Sequence, residues 1–535
     1  MQVNLDNLET LIADLGLESD LGNLQEAITS SEAIESESFS QIAGDESLLF
    51  GNTDFVRFNV VTGDDNIGFQ NLEDIQLDAG QDLIQSLLLV RNGGSRNLAF
   101  SSFGAEITTG ADNDAVRGIN FVAGNGDGNI GIENNETNID TGDGRDRLLG
   151  IVAVDGSGSL NASIGSAFST VELGADDDRI TGITSIADDG DSNSGISGGF
   201  FGYLLSEGND SFNAVVNVDG NGNRNSGFSG GDGAIVAGAG NDTLKAVVAI
   251  GNDGSDNNGI SLSEARIELE DGNDRLNATV SVDGSGNNNS GISLIFAGIS
   301  ATSGDNSIDS TVEIEDSGDF NRGLNVATLG NVSGGMGNDE IRGTVKIESG
   351  SNNIGTYLGE LSNIELGDGN DQLISSVELS DSGDHNLGIA IAPGQGNATI
   401  NTGAGNDLVR GSVSVESGIH NYGIDNQQII DLGTGNDTIE AVAPNAFSGY
   451  TGAGTINLGA GDDLISGFGE QFVDGGDGVD VAQFSFESGF TINLGSEPNS
   501  LDIVANDIVM SFSNVEQFNF GDNFYSFDEL VAMAE

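Results

Sequence analysis

The chain has 535 residues, with 15 Lys or Arg against 85 Asp or Glu, so its formal net charge is −70 at pH 7. Binding to nucleic acid requires clustered Lys and Arg, so this charge excludes nucleic acid as a natural partner and also opposes an anionic membrane surface. The chain has no cysteine, which excludes disulfides, thiolate metal sites and a cysteine nucleophile. Cations are the partners that the composition implies.

Residues 1–50 form a segment of their own. Leucines with helical spacing from Leu5 to Leu15 predict a short helix that Gly16 could end, and apolar residues from Leu21 to Ile28 suggest a second helix. An acidic, serine-rich linker follows at 30–40. We consider two roles for this segment: a cap over the open end of the next domain, or an assembly element that docks onto a neighbouring subunit.

No stretch reaches the roughly 18–20 apolar residues of a membrane span, so membrane insertion is not expected. The first basic residue is Arg57, so a cleaved signal peptide is not expected either.

Residues 51–482 form a repeat in which an aspartate returns at intervals of 32 residues, near the end of a Gly/Asn/Asp-rich loop. Later intervals vary, and the last three are 30, 26 and 17 residues. We call these positions the aspartate column. It comprises Asp82, Asp114, Asp146, Asp178, Asp210, Asp242, Asp274, Asp339, Asp371, Asp407, Asp437, Asp463 and Asp480, with Asn306 in place of an aspartate between Asp274 and Asp339.

A second column of asparagines follows about fifteen residues after each aspartate, mostly in the pattern Asn-x-Gly-apolar. We interpret it as a hydrogen-bonded amide ladder, since asparagine tolerates left-handed turns and stacks well. The asparagine column comprises Asn97, Asn129, Asn161, Asn193, Asn225, Asn257, Asn289, Asn321, Asn353, Asn386 and Asn421.

The residues between the two columns alternate between apolar and polar. Leu276, Ala278, Val280 and Val282 are expected to face inward, and the residues between them outward. A rung of two or three such strands cannot bury its apolar face alone, whereas stacked rungs can. The sequence therefore predicts an all-β fold, a parallel β-solenoid (β-helix or β-roll) of about 12–13 rungs of ~32 residues.

Beyond residue 482 the repeat ends and phenylalanines concentrate, from Phe484 to Phe527. This composition predicts a β-rich cap over residues 483–535 with a small core of its own.

The loops that carry the aspartate column suit calcium, which prefers six to eight hard oxygen ligands from carboxylates, carbonyls and water. Carboxylates one turn apart, about 4.8 Å, would repel by roughly 1 kcal/mol in water and about 3.5 kcal/mol at an effective dielectric of 20. We therefore predict the thirteen aspartates of the column as ligands of multiple Ca²⁺ ions. The alternative is acidity that serves only solubility. A second acidic column, at Asp155, Asp219 and Asp283, is interrupted by Ala123 and is a weaker candidate.

The loops resemble a known family. The stretches 334–342 and 475–483 match the Gly-Gly-x-Gly-x-Asp nonapeptide of RTX, or haemolysin-type, calcium-binding proteins, and four further loops match except at the first glycine. The resemblance implies calcium between stacked loops, folding outside the cell, and type I secretion through an uncleaved signal near 528–535. In the family, two nonapeptides make one turn of about 18 residues, so a turn of ~32 residues predicts calcium at one corner only. The shorter intervals Asp65–Asp82 and Asp463–Asp480, each of 17 residues, are expected to be stretches of ordinary β-roll.

The first functional hypothesis is a secreted structural protein of the cell surface or extracellular matrix, rigidified by calcium and self-associating into filaments, sheets or an S-layer. The alternatives are an adhesin that binds surface polysaccharide and a β-helix enzyme that modifies polysaccharide through paired carboxylates. The only histidines, His385 and His420, stand at turn positions, and the chain lacks a His-Glu-x-x-His motif. We therefore do not expect an enzyme.

Overall fold

The computed structural model describes residues 54–77, 79–394, 396–444 and 449–534. The predicted helix and linker of residues 1–50 lie outside the described residues. The fold is the predicted all-β parallel β-solenoid, with about 14 turns where the sequence predicted 12–13. Its residues group into two compact units. One comprises the described residues up to Ser206 together with Ser211–Ser229 and Ala249–Asn252, and the other comprises Glu207–Asp210, Gly230–Val248 and the residues from Asp253 onward.

The strands are short and follow one another closely. The first fifteen are β1 (Asp54–Thr62), β2 (Ile67–Asn71), β3 (Ile75–Gln76), β4 (Leu83–Arg91), β5 (Leu98–Phe103), β6 (Ile107–Thr108), β7 (Ala115–Ala123), β8 (Ile130–Asn135), β9 (Asn138–Asp140), β10 (Arg147–Val154), β11 (Ala162–Ala167), β12 (Ser169–Glu172), β13 (Arg179–Ile186), β14 (Ser194–Leu204) and β15 (Ser211–Val218). The next fifteen are β16 (Ser226–Val236), β17 (Thr243–Ile250), β18 (Asn258–Ser263), β19 (Ala265–Asp271), β20 (Arg275–Val282), β21 (Ser290–Ile295), β22 (Gly298–Ser303), β23 (Ser307–Ser317), β24 (Arg322–Val326), β25 (Asn331–Met336), β26 (Glu340–Ser349), β27 (Ile354–Leu358), β28 (Asn363–Asp368), β29 (Gln372–Leu379) and β30 (Leu387–Ile391). The last fifteen are β31 (Thr399–Ala404), β32 (Leu408–Ser414), β33 (Tyr422–Asn426), β34 (Ile429–Asp431), β35 (Thr438–Val442), β36 (Tyr450–Thr451), β37 (Thr455–Ala460), β38 (Leu464–Ser466), β39 (Phe472–Asp477), β40 (Val481–Phe484), β41 (Phe490–Leu494), β42 (Ser500–Ala505), β43 (Ile508–Ser513), β44 (Gln517–Phe520) and β45 (Asn523–Ser526).

A typical turn has three strands, here β20, β21 and β22. Each strand pairs in parallel with its counterpart in the next turn, so Leu276 lies beside Ile308 and Ile292 beside Leu324. The aspartate loop precedes the first strand, which we call the front strand, and the asparagine corner separates it from the second. The strand period of two fixes which side chains enter the coil, because one face of every strand points inward.

The predicted inward positions are confirmed. Leu276, Ala278, Val280 and Val282 are 0–1 % exposed, while the polar residues between them are half-buried. The core is therefore a narrow column of stacked aliphatic side chains, in which each layer is closed by the turns above and below it.

The corners require left-handed backbone conformations. Asn288, just before the asparagine column, has a φ of 56°, and the residue at the next corner, Phe296, has a φ of 52°. In β14 and β16 the second and third strands run together without that corner, so each has 11 residues.

The prediction of ordinary β-roll is wrong at the amino-terminal end. Asp65 does not belong to the aspartate column, because its neighbour Asn66 donates its backbone N–H to Asn97 Oδ1 at 3.0 Å. Asp65 instead forms an ion pair with Arg96 at the asparagine corner. At the other end, the backbone N–H of Asp463 donates to Asp480 Oδ1, so the interval of 17 residues is a true short turn with two strands, β38 and β39.

The carboxyl-terminal residues change to antiparallel pairing. Strands β41, β42 and β43 form an antiparallel sheet, and Phe484, Phe512 and Phe520 are buried beside them, whereas Phe524 is 72 % exposed.

The chain continues into one helix, α1 (Phe527–Ala534), which the sequence reasoning missed. Its signal is a capping box: the backbone N–H of Ser526 donates to Glu529 Oε2, and that of Glu529 donates to Ser526 Oγ. No helix in the described part of the chain combines the length and apolar character that a membrane span needs.

The aspartate loops leave no room for a side chain where successive glycines stack. Gly405 has a φ of +144°, and a Cβ at this position would overlap the carbonyl oxygen of Gly369 in the neighbouring turn. We expect Gly405→Ala to destabilise the protein by about 2–4 kcal/mol, because it combines backbone strain with a steric clash. Urea denaturation measures the loss. The control is Gly199→Ala, since its Cβ would meet only the Ala167 side chain at 3.9 Å, and it should be near neutral. Equal stability of the two variants would contradict this packing.

Candidate cation site in the aspartate column

The structure brings the predicted aspartates together within each unit as a buried column. Each stands directly before a front strand, so its side chain enters the coil in line with the core residues. All thirteen side chains are 0–3 % exposed. Carboxylates rarely lie this deep without a partner, so their hydrogen bonds need a full account.

The Oδ1 atoms of the column accept backbone hydrogen bonds that form a ladder. In the first unit, the backbone N–H of Asp82 donates to Asp114 Oδ1, that of Asp114 to Asp146 Oδ1, and that of Asp146 to Asp178 Oδ1, each at 2.7 Å. In the second unit the same bond recurs from Asp210 to Asp480 at 2.7–3.0 Å, including the step through Asn306. Eleven of the thirteen aspartates, all except Asp82 and Asp210, are thus seen to satisfy a buried backbone donor of the previous turn.

The second oxygen has a different environment. Within the described residues, Oδ2 is buried and has no hydrogen-bond donor in ten aspartates of the column. These are Asp114, Asp146, Asp242, Asp274, Asp339, Asp371, Asp407, Asp437, Asp463 and Asp480. A threonine hydroxyl lies near three of them, at Thr109, Thr141 and Thr402, but each hydroxyl donates to a main-chain carbonyl of the next turn. The Asn306 amide lies near Asp339, but its Nδ2 likewise donates to main-chain carbonyls. A buried oxygen of this kind costs free energy unless a proton or a cation joins it.

Asn306 shows what surrounds this second oxygen. Its Oδ1 takes the place of the aspartate Oδ1 and accepts the backbone N–H of Asp274 at 3.0 Å. Its Nδ2 donates to the carbonyl oxygens of Gly304 at 3.0 Å and Gly334 at 3.3 Å. The amide nitrogen therefore faces two main-chain acceptors, and an aspartate Oδ2 in the same place would face the same type of oxygen.

Burial raises the pKa of these carboxyls. Desolvation is the largest cause, and it outweighs the backbone hydrogen bond to Oδ1, which lowers the pKa. The pKa rises to about 7 in Asp146, Asp242, Asp371 and Asp437, and to about 6 in Asp274, Asp339 and Asp480. The pKa of Asp114, Asp407 and Asp463 is also raised.

The residue before each aspartate builds a second, exposed ladder that runs in the opposite direction. The backbone N–H of Asn370 donates to Asn338 Oδ1, and that of Asn406 donates to Asn370 Oδ1, at 3.0 and 2.9 Å. Between these two ladders, backbone hydrogen bonds join the loops of successive turns directly; for example, Gly405 N–H donates to Thr434 O at 2.8 Å. In the Asn-Asp pair of the loop motif, Asn thus links successive loops on the exposed side and Asp links them on the buried side. Sequence reasoning missed the outer ladder, although the motif places Asn there repeatedly.

The asparagine column forms the predicted amide ladder. Asn321 is fully buried, and its Oδ1 accepts the backbone N–H and the Nδ2 of Asn289 at 2.9 and 3.2 Å. Its Nδ2 donates to Gly286 O at 3.0 Å and to Asn353 Oδ1 at 3.1 Å. Both polar atoms of each such amide are satisfied, so this corner is structural.

The two histidines lie at the turn positions that the sequence predicted. His385 and His420 are exposed, have φ values of 59° and 57°, and stack with ring centroids 4.7 Å apart. The described residues contain no group of three or more His, Cys, Asp or Glu side chains placed to hold one metal ion. The weaker acidic positions Asp155, Asp219 and Asp283 lie at the ends of front strands or just beyond them, outside the aspartate column.

Comparison with known proteins adds no family to this geometry. No protein-family model matches the chain, and neither a curated protein nor a solved structure matches it.

Replacing one amide of the asparagine ladder should be costly. Asn321→Ala leaves the Asn289 donors and the Gly286 carbonyl without their partner inside the coil. We expect a loss of about 2–4 kcal/mol in the free energy of unfolding, measured by urea denaturation. Asn277→Ala, on the outward face of β20, is the control and should cost little. A loss no greater than that of the control would argue against the ladder.

The raised pKa values predict how stability depends on pH when divalent ions are chelated. A carboxyl whose folded pKa exceeds its unfolded value near 3.9 stabilises the fold fully below pH 4, and this contribution disappears as pH rises through 6–7. We expect the melting temperature in chelator to fall by on the order of 10 °C between pH 5 and pH 8.

The long-range repulsion among the many acids also changes over this range, so a matched pair isolates the column. Asp146→Asn should flatten the dependence on pH, whereas Asp143→Asn, an exposed residue of the same loop with the same loss of charge, should not. Identical pH profiles for the two variants would exclude the column as the cause.

Proposed function

We propose that the chain is a secreted, calcium-binding β-solenoid that serves as a structural component of the cell surface or extracellular matrix. The observation that carries this proposal is the buried Oδ2 of the aspartate column, which repeats in turn after turn without a hydrogen-bond donor. A scaffold needs the same stabilising interaction in every turn, and this column provides one.

The chemistry around Oδ2 favours a hard cation. Where Asn306 replaces the aspartate, its Nδ2 donates to two main-chain carbonyl oxygens, so at this turn two oxygen atoms lie within hydrogen-bond distance of the position. Carboxylate, carbonyl and water oxygens are the ligands that Ca²⁺ prefers, and thiol and imidazole play no part here. When bound, calcium would supply the positive charge that neutralises the column. The column aspartates and the loop carbonyls would hold it.

The resemblance to RTX proteins supports secretion and calcium binding together. Two loops carry the full nonapeptide, at 334–342 and 475–483, and in both the first glycine packs against the aspartate: a Cβ on Gly334 or Gly475 would lie 2.5 Å from Oδ2 of Asp339 or Asp480. In the other turns of the column a buried apolar residue, alanine or threonine occupies the first glycine position, as at Leu366 and Thr402. Extracellular calcium-binding modules commonly work at 10⁻⁴–10⁻³ M calcium, so many weak sites suffice outside the cell.

A structural role agrees better with this architecture than catalysis does. The aspartate and asparagine side chains at the two corners belong to ladders that repeat along each unit, and a repeated ladder gives successive turns the same kind of environment. Catalysis requires a local arrangement in which a few groups differ from their neighbours in pKa and orientation. Self-association into filaments or sheets is the assembly we propose, since nearest-neighbour stacking already governs the fold.

A single change in the column tests calcium binding. Asp371→Asn keeps the Oδ1 acceptor and provides a donor at the Oδ2 position, as Asn306 does naturally. In chelator at pH 8 we expect this variant to be more stable than the unchanged chain by about 1–3 kcal/mol, since a buried unpaired oxygen is removed. With calcium the order should reverse or the difference should vanish. Thermal melts with and without calcium, together with calorimetric titration of the number of sites, measure both effects.

The matched control is Asp368→Asn, an exposed aspartate in the same loop with the same change in charge. It should leave the response to calcium unchanged. If the unchanged chain gains no stability from calcium at pH 8, or if both variants respond alike, the column does not bind calcium.

A further inference from the structure

The front strands of the first unit are buried on their outward face as well as inside the coil. Outward positions alternate with the core residues along β4, β7, β10, β13 and β15, and in these strands they carry large apolar side chains. We call this set the outer apolar patch; it comprises Leu87, Leu89, Ile119, Phe121, Leu149, Ile151, Ile183 and Val215, which are 0–7 % exposed.

The same strand positions look different in the second unit. Where Ile151 stands in β10, the front strands β20, β23 and β26 carry Thr279, Thr311 and Thr344, and each is only half-buried. The outward face of a solenoid strand is thus polar and open to solvent when nothing lies on it. Complete burial of Ile151 and Ile183 requires a layer of atoms above the patch.

The described elements do not supply that layer. Each front strand of the first unit packs against its neighbours in the same sheet and against the second or third strands of adjacent turns across the interior. Helix α1, the one helix within the described ranges, packs on β41 and β45. Among the described residues, no element therefore lies over the patch.

We propose that residues 1–50 cover the outer apolar patch. This segment leads directly into β1, which pairs with β4 at the edge of the same sheet, so it enters beside the patch. Its leucines recur with helical spacing from Leu5 onward, which gives it one apolar face. The patch spans five turns, or about 19 Å at 4.8 Å per turn. A helix over residues 5–15 would reach about 16 Å, and the residues that follow it up to residue 50 add enough chain to cover the rest. The segment is long enough to span it.

The charges of the two surfaces are complementary. Residues 1–50 contain many Asp and Glu, and the first basic residue of the chain is Arg57. The outward positions around the patch carry Arg91, Arg117, Arg147 and Arg179, although the chain has only 15 basic residues in all. An acidic amphipathic segment suits this basic rim, whereas two whole chains, each with a net charge of −70, repel each other over their remaining surfaces.

The role that follows for residues 1–50 is a lateral cover, distinct from a cap over the end of the stack. The covalent link gives the segment a high effective concentration at the patch, so it competes well against a second copy. The proposal is independent of calcium binding, because the patch lies on the outside of the coil and the aspartate column inside it.

Absence of cysteine makes thiol labelling a direct test in the full-length chain. Ile151→Cys places one thiol in the patch, and Thr311→Cys places one at the equivalent outward position of the second unit. We expect a maleimide reagent to label Ile151→Cys about a hundredfold more slowly than Thr311→Cys, because the cover must open first. Adding Leu8→Glu and Leu11→Glu to Ile151→Cys should raise its labelling rate at least about tenfold by weakening the apolar face.

Asn7→Glu with Thr10→Glu adds the same charge on another side of the segment and should leave the protection in place. Circular dichroism confirms that each variant is folded. Equal labelling of Ile151→Cys and Thr311→Cys, or protection that the leucine substitutions do not reduce, would overturn the proposal. Protection lost on dilution together with a halved mass in light scattering would also overturn it and assign the patch to a second copy.

Discussion

Each turn of this protein depends on a hydrogen bond that joins the backbone N–H at one corner to a side-chain oxygen at the same corner of the next turn. At a corner the chain leaves the sheet, so its N–H and C=O groups lose their regular partners while they remain buried. The aspartate and asparagine columns restore them, as between Asp339 and Asp371 and between Asn321 and Asn353. Because the partner always lies one turn away, the interaction also fixes the length of the turn. An insertion between two corners must therefore be absorbed in loops.

The aspartate and asparagine columns both provide acceptors for the buried backbone N–H groups at the corners, but with different consequences for charge. An amide has both a donor and an acceptor, so Asn321 satisfies groups on either side and remains neutral. A carboxylate has only acceptors, so Asp371 Oδ1 accepts from one neighbour while its buried second oxygen has no donor. If stability alone had determined the sequence, asparagine would serve at both corners, as it does at Asn306. With aspartate in thirteen turns, the second oxygens of the column need a proton or a cation, and our proposal assigns this role to calcium.

Much of this arrangement could be predicted from the sequence, because residues one period apart in the sequence lie side by side in adjacent turns. The inward positions from Leu276 to Val282, the amide ladder and the alignment of the aspartates all follow from one interval. The period does not show where a side chain points within its corner. For this reason neither the burial of Oδ2 nor the outer ladder of Asn370 and Asn406 was predicted. Asp65 was misplaced because an aspartate near a glycine fits either corner, and only the partner of Asn66 distinguishes them.

The outer apolar patch was missed for a related reason. The turn that begins at Asp274 has polar outward residues, and this alternation does not hold for the front strands of the first unit. The run Leu87-Leu88-Leu89 breaks the alternation, and a continuous apolar run marks a strand buried on both faces. Strands with this composition need a second layer, as in folds where helices cover a parallel sheet. The first unit therefore combines two modes of burial, a stacked core inside the coil and a covered sheet outside it, and an apolar face of residues 1–50 is the kind of layer that the second mode requires.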